Sequence, residues 1–356
     1  MSFSVDATFF DDFNDFEYFN YTFPSELPNF DSSPCKGSQV VNKYLVVVVY
    51  ALVFFLSVVG NCLVVLVIYY NKLKRSSTDV YLLNLAIADL LFALTLPLWA
   101  AYKASEWVFG FFMCKAVSVL QEVNFYSGIL LLACISIDRY LAIVRATEAV
   151  TQKRHWVKFI CVGIWIFSFA VSLPTLLFRT VFQIYQNGKV CHESIGNENT
   201  EHWIIILRIG RHLLGFFIPL IIMLFCYGFT IQTLYQTKSS QKHKAMKVIL
   251  AVVMVFLICW LPYNLTVIVD SLMRTQFINE TCTIRENLDA ALSITEIFGY
   301  MHSCLNPIIY AFIGQKFRNS FLKILASKGI ISKSVLSRYA RGSSYGSTSG
   351  NTSTTL

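Results

Sequence analysis

The sequence predicts an all-α membrane protein, a seven-transmembrane helix bundle with a short amphipathic C-terminal helix. Three observations predict it. Hydrophobic residues make up 55% of the chain and charged residues only 14%, outside the usual balance of a soluble domain. Seven apolar runs reach the roughly 20 residues that a helix needs to cross a bilayer. Basic residues gather at alternate ends of those runs, as the positive-inside rule requires.

The chain opens with an acidic segment. Residues 1–43 hold Asp6, Asp11, Asp12, Asp15, Glu17, Glu26 and Asp31 against Lys36 and Lys43. Its first residues lack the basic start and apolar core of a cleavable signal, so the first apolar run is expected to direct insertion. The expected spans are Tyr44–Tyr70, Val80–Tyr102, Phe111–Val144, Val157–Phe178, Ile209–Leu234, Val248–Leu272 and Leu288–Ile313. Lys115, Gln121, Glu122 and Asn124 interrupt the third, and Asp289 and Glu296 the seventh, which suggests helices facing a wet or protein-lined interior. Lys72, Lys74 and Arg75 follow the first span. Arg145, Lys153, Arg154 and Lys158 lie between the third and fourth, and Lys238, Lys242, Lys244 and Lys247 between the fifth and sixth. With seven spans these fall on one side, the cytoplasmic one, and the N-terminus is extracellular. Because the basic residues cluster beside apolar runs, nucleic-acid binding is a poor explanation of the positive net charge.

After the seventh span, Phe317, Phe321 and Leu325 recur one helical turn apart with Lys316, Arg318 and Lys323 on other faces. That pattern suits a helix lying on an anionic inner leaflet. The expected organisation is an acidic extracellular segment (1–43), the bundle (44–313), the surface helix (314–326) and a disordered cytoplasmic tail (327–356). The tail hydroxyls Ser343, Ser344, Ser347, Thr348, Ser349, Thr352, Ser353, Thr354 and Thr355 are candidate phosphorylation sites.

Cys35, Cys114, Cys191 and Cys282 lie near span ends, and all four fall on the oxidising, extracellular side. Four cysteines allow three pairings, among which spacing does not choose. Asn20-Tyr21-Thr22 and Asn279-Glu280-Thr281 are extracellular glycosylation sequons. Asn264-Leu265-Thr266 falls inside a span and Asn351-Thr352-Ser353 in the tail, so both read as accidental.

Polar groups within the spans carry the functional signal. Asp89 is a lone carboxylate in an apolar run and needs a partner, a proton or a cation; Asn61, Asn124, Ser303 and Asn306 are the candidates. Such a network also serves simply as polar glue between helices. Pro97, Pro219, Pro262 and Pro307 each remove a helical hydrogen bond and kink a span, as hinge or as architecture. Asp138-Arg139-Tyr140 ends the third span and marks either the membrane boundary or a buried working site.

Gly60-Asn61, Leu85–Asp89, Asp138-Arg139-Tyr140, Trp165, Cys259–Pro262 and Asn306–Tyr310, one mark per helix in order, together resemble the rhodopsin-like G-protein-coupled receptors. Finer marks resemble the chemokine receptors: Asp138–Val144, Thr95-Leu96-Pro97, His302–Pro307, Glu296, and the pair Cys35 and Cys282. Lys115, Glu122–Gly128, Met273–Gln276 and the ending Thr352–Leu356 look like the C-X-C branch of that family.

The resemblance implies disulfides Cys114–Cys191 and Cys35–Cys282. It implies capture of a basic C-X-C chemokine, interleukin-8 or a growth-related chemokine, by the acidic N-terminus with Tyr18 and Tyr21 as sulfation sites. The chemokine's own N-terminus would then meet Arg208, Arg211, Asp270, Arg274, Arg285 and Glu296. Trp260 and Pro262 would relay the change, with Asp138, Asn306 and Pro307 among the activation residues. Arg139 would receive an inhibitory heterotrimeric G protein, with Tyr140, Tyr227 and Tyr310 in support. Neutrophil chemotaxis is the implied outcome. Receptor kinases and arrestin would act on the tail, and Thr354-Thr355-Leu356 would offer a strand to a PDZ domain.

Two departures stand out. The sixth helix begins with basic Gln241-Lys242-His243-Lys244 where many relatives carry an acidic partner for the arginine, so Arg139 is left to lean on Asp138. A serine usually completes a sodium site beside the counterpart of Asp89, and Gly128 stands there instead, with Asn124 able to compensate. A transporter is the reading from another class, but no internal repeat supports it. A non-signalling decoy would be expected to lose Asp138-Arg139-Tyr140, which is intact. An enzyme is unsupported, since no metal spacing, nucleophile motif or phosphate loop is present.

Overall fold

One buried stripe recurs from helix to helix. The computed structural model describes residues 42–70, 76–145, 156–184, 188–193, 205–206, 208–236, 240–275, 277–278, 281–313 and 315–332. In it α1 (Lys43–Tyr70) buries Val46, Tyr50, Val53, Ser57, Asn61, Val64 and Ile68, a residue every three or four positions. Its other face shows Leu45, Leu52, Phe55 and Val59 to the outside. A helix apolar all round has one face for protein and one for hydrocarbon, which is the membrane solution.

Among the described residues, six helical spans are long and apolar enough to cross a membrane: α1, α2 (Ser77–Ala104), α3 (Gly110–Arg145), α4 (Trp156–Phe178), α5 (Arg208–Tyr235) and the Met246–Arg274 part of α6. α6 as a whole runs Ser240–Arg274, so it begins two turns before the apolar run, inside the basic segment. The seventh span, α7 (Cys282–Ile313), has 32 residues, ample length at about 1.5 Å per residue. Arg285, Glu286, Asp289 and Glu296 dilute its apolar character, and its helix starts six residues ahead of the expected Leu288. α8 (Gln315–Ser327) follows directly, as the amphipathic spacing predicts.

Local chemistry sets the bends and ends. Ser76 caps α2 with a reciprocal box: its Oγ accepts from the Asp79 backbone N–H, and Asp79 accepts from the Ser76 N–H. α2 is interrupted at Leu94–Thr95, just before Pro97, and Thr95 Oγ1 donates to the Phe92 carbonyl at 2.7 Å. α5 passes through a π turn at Leu213–Phe217 ahead of Pro219, where Gly215 leaves room for the Tyr126 ring of α3.

The sequence reading held no strands. The structure adds one antiparallel hairpin, β1 (Arg179–Ile184) and β2 (Gly188–Glu193), with Val181 opposite Cys191. The disulfide Cys114–Cys191 ties β2 to the start of α3, and the Trp107 N–H donates to the Lys189 carbonyl at 2.8 Å. One expected pairing is therefore present. Cys282 is disulfide-bonded, and its expected partner Cys35 lies outside the described residues.

The core is aromatic and aliphatic, with Phe92, Leu85, Ile129, Leu132 and Phe256 essentially without exposure. α1 and α7 approach closely enough that a Cβ on Gly60 would sit 2.7 Å from Pro307 Cβ.

Candidate functional site

A cavity of about 720 Å³ opens among α2, α3, α5, α6, α7 and the hairpin. Its wall carries Lys103, Arg179, Arg208, Arg211, Arg274 and Arg285 against Glu122, Glu193, Asp270, Asp289 and Glu296. Both signs are abundant, so the wall is paired within itself and remains open to exchange with a charged visitor.

Asp270 is the centre of one cluster. Its side chain is 0% exposed and accepts from Arg208 at 2.6 Å, Arg285 at 2.9 Å and Arg274 at 3.0 Å. Arg285 also holds Asp289 at 2.8 Å. Three guanidiniums on one carboxylate leave an excess of positive charge at this end of the cavity.

Arg211 is the centre of the second. It donates to Glu122 at 2.7 Å and to Thr175 Oγ1 at 2.9 Å, and lies 3.6 Å from Glu193. Arg179 donates from Nε to Ser118 Oγ at 3.0 Å. On the hairpin, burial pushes the Glu193 carboxyl up, but Arg179, Arg211 and Arg208 outweigh it and hold the group below its ordinary range. Its neighbour His192 is pushed below its ordinary value by burial, with Arg179 adding to the effect. Glu296 accepts from the Tyr300 hydroxyl at 2.7 Å and pairs with Lys103 at 3.7 Å, and Gln121 donates to the same Tyr300 oxygen.

The cavity floor is Trp260, buried against Phe125 with centroids 4.7 Å apart and against His302 at 5.4 Å. Below it lies the polar core. Asp89 accepts from Asn124 at 3.2 Å and from Asn306 at 3.0 Å, and His302 Nε2 stands 3.4 Å from it. Ser303, an expected partner, donates instead to the Tyr300 carbonyl at 2.9 Å; Asn61 reaches the Ser303 carbonyl rather than Asp89. The groups facing the Asp89 carboxylate are thus nitrogens, and Gly128 supplies no side-chain oxygen. A hard cation takes oxygen ligands, so sodium would require the Oδ1 atoms of Asn124 and Asn306, buried here without a hydrogen-bond partner, to turn toward Asp89. Among the described residues no cluster of three or more His, Cys, Asp or Glu fits a metal ion.

At the other end of α3, Arg139 donates to Asp138 from both Nε and Nη2, the pairing expected where the start of α6 is basic. Tyr140 packs on Phe225 and Phe229 of α5, while Tyr227 and Tyr310 are buried.

The structure therefore brings Arg208, Arg211, Asp270, Arg274, Arg285 and Glu296 to one cavity. Tyr18, Tyr21, Asn20, Asn279, Cys35 and the tail hydroxyls from Ser343 to Thr355 lie outside the described residues. Sequence reasoning missed Lys103, Arg179, His192, Glu193, His212 and Asn264. For His192 and Glu193 the available signal was adjacency to Cys191.

Residues 60–310 match the family described as the 7 transmembrane receptor (rhodopsin family). The chain is 59% identical, over 97% of its length and 98% of the relative, to the C-X-C chemokine receptor type 2 of Homo sapiens. It is 61% identical to the C-X-C chemokine receptor type 1 of Oryctolagus cuniculus, over 92% of each. To the type 1 receptor of Homo sapiens it is 58% identical, over 96% of the chain and 97% of the relative. These values do not separate the two types.

Proposed function

The chain belongs to the rhodopsin family of seven-transmembrane receptors, in its chemokine-receptor branch, and from that membership we propose how its residues divide the work. It is a multi-pass plasma-membrane receptor with chemokine ligands and a G-protein partner, and it is not an enzyme. The finer reading is a type 2 C-X-C receptor that answers to interleukin-8 and growth-related chemokines. It activates inhibitory heterotrimeric G proteins and drives neutrophil chemotaxis.

The observation that carries this reading is Asp270 under three guanidiniums in the cavity wall. An acidic group of the ligand competes for Arg208, Arg274 or Arg285, while a basic group finds Glu296 or Glu122. Either exchange costs little, because each new pair replaces an old one. The acidic N-terminal segment, extracellular and bearing Tyr18 and Tyr21, makes the first contact with a basic chemokine. Cys35–Cys282 anchors that segment to the start of α7, and Asn20 and Asn279 carry glycans. Trp260, Pro262, Asn306 and Pro307 pass the change to Arg139, which leaves Asp138 for the G protein, with Tyr227 and Tyr310 supporting it. The net effect is a population shift between two packings of the helices. Kinases modify the tail hydroxyls for arrestin, and the terminal Thr354-Thr355-Leu356 docks a PDZ domain. The boundaries 1–43, 44–313, 314–326 and 327–356 follow the same division.

The test is G-protein activation in membranes carrying the full chain, titrated separately with interleukin-8 and a growth-related chemokine. A strong response to both is expected. Response to interleukin-8 alone moves the assignment to type 1, and tight binding without nucleotide exchange makes it a decoy.

A further inference from the structure

Resting on the receptor reading above, we infer that His212 and Asn264 form the rung through which α5 moves the hinge of α6. α5 places Arg208 and His212 four residues apart, on one helical face. Both reach α6: Arg208 donates to Asp270 at 2.6 Å, and His212 Nδ1 meets Asn264 Oδ1 at 2.7 Å. The Asn264 amide also donates from Nδ2 to the Trp260 carbonyl at 2.8 Å. That bond makes Oδ1 the acceptor, so His212 Nδ1 carries the proton and donates. An unbroken chain therefore runs from imidazole to amide to carbonyl. It ends on Trp260, two residues before Pro262, whose ring leaves the Ile258 carbonyl without its helical donor.

The two rungs differ in kind. The upper one is ionic, shared among three guanidiniums, and Arg274 is 41% exposed, so charged groups of a ligand compete for it. The lower one has no carboxylate partner: Asn264 is 0% exposed, and His212, which lines the cavity, meets it through its amide. Phe125 and Tyr263 stand on the imidazole with ring centroids at 6.4 and 6.3 Å and keep it from drifting. The π turn Leu213–Phe217 begins at the next residue and gives α5 a place to shift without moving the segment after Pro219. When a ligand loosens the upper rung, the lower one transmits the displacement to Trp260. His212 is thus a positioning residue for the hinge.

The experiment uses the full chain with H212F, which keeps a ring but has no N–H, H212Q, which restores an N–H donor, N264L, and the H212F/N264L double variant. Three quantities are read: interleukin-8 affinity, maximal G-protein activation, and ligand-free hydrogen–deuterium exchange over residues 260–264. H212F is expected to bind within about threefold of the unmodified chain and to lose maximal activation by about tenfold. Its ligand-free exchange rises about fivefold. H212Q restores the last two, and the double variant is no worse than N264L alone. Unchanged ligand-free exchange in both H212F and N264L overturns the rung. So does a parallel loss of binding and activation, which marks a plain ligand contact, and so do additive losses in the double variant. If the unmodified chain gives no chemokine response, the receptor reading fails, while the ligand-free exchange still decides the rung.

Discussion

The side-chain amide of Asn61 donates to the backbone carbonyl of Ser303 at 2.8 Å, and that carbonyl is the one Pro307 leaves without a helical donor. A kink in α7 is thus satisfied from α1. Asn61→Leu should leave a buried carbonyl unpaired at a cost of about 1–3 kcal/mol. The purified receptor should melt several degrees lower; an unchanged melting temperature would show the bond to be dispensable.

Next to it, Gly60 touches Pro307 with no room for a side chain. Neither the proline ring nor the helix backbone yields easily, so Gly60→Ala should destabilise by about 1–3 kcal/mol through overpacking. Gly163 has open space around its Cα, so Gly163→Ala is the matched control and should be neutral or slightly stabilising. Equal melting temperatures for the two variants would contradict the packing argument.

Charge reversal at the cavity should read out in binding. Arg208→Glu places a second carboxylate against buried Asp270 and removes one of its three cations. Interleukin-8 affinity should fall at least about tenfold, or about 1.4 kcal/mol. Radioligand binding at matched surface expression measures it, and unchanged affinity would remove this cluster from the ligand site.

Acid should loosen the hairpin. Glu193 is held below its ordinary value of 4.5, so its ion pairs stabilise fully above that value, and the contribution is lost as pH falls through the depressed folded value. His192 has the same sign, since its lowered folded value favours the neutral ring and protonation on acidification opposes it. Thermal stability should fall between neutral pH and pH of about 4, and Glu193→Gln should flatten the more acidic part of that decline. A flat profile in the unmodified protein would remove the hairpin charges from the stability argument.

The nitrogens around Asp89 predict indifference to sodium. Replacing sodium chloride by N-methylglucamine chloride at equal ionic strength should leave chemokine affinity unchanged. A several-fold shift would show that the amides of Asn124 and Asn306 turn their oxygens to an ion.

Most of the architecture was legible because a membrane span is a one-dimensional signal: about 20 apolar residues leave few alternatives. The start of α7 was not, because Arg285 and Glu286 fall before the apolar run, yet Arg285 pairs with Asp270 and Asp289 within the protein. The hairpin was missed although Asn187-Gly188 is a strong turn signal, because its strands are short and half-polar beside long apolar runs. Partner assignments failed where they depended on helical phase. Ser303 was expected on Asp89, but one residue of rotation, about 100°, brings His302 there. Asn264 was dismissed as an accidental sequon, correctly, yet its partner lies 52 positions away on another helix. Nothing local marks such a pair.

The bond between Asn61 and Ser303 joins residues 242 positions apart. In order of synthesis, α1 is the first span to enter the membrane and α7 the last of the seven. Until α7 arrives, the Asn61 amide has its bonds to Ser57 of its own helix but not the one to Ser303, and the face of Gly60 that Pro307 covers is open. The bundle is therefore sealed by its final helix, and a chain that stops before residue 303 lacks the bond that ties Asn61 of α1 to α7.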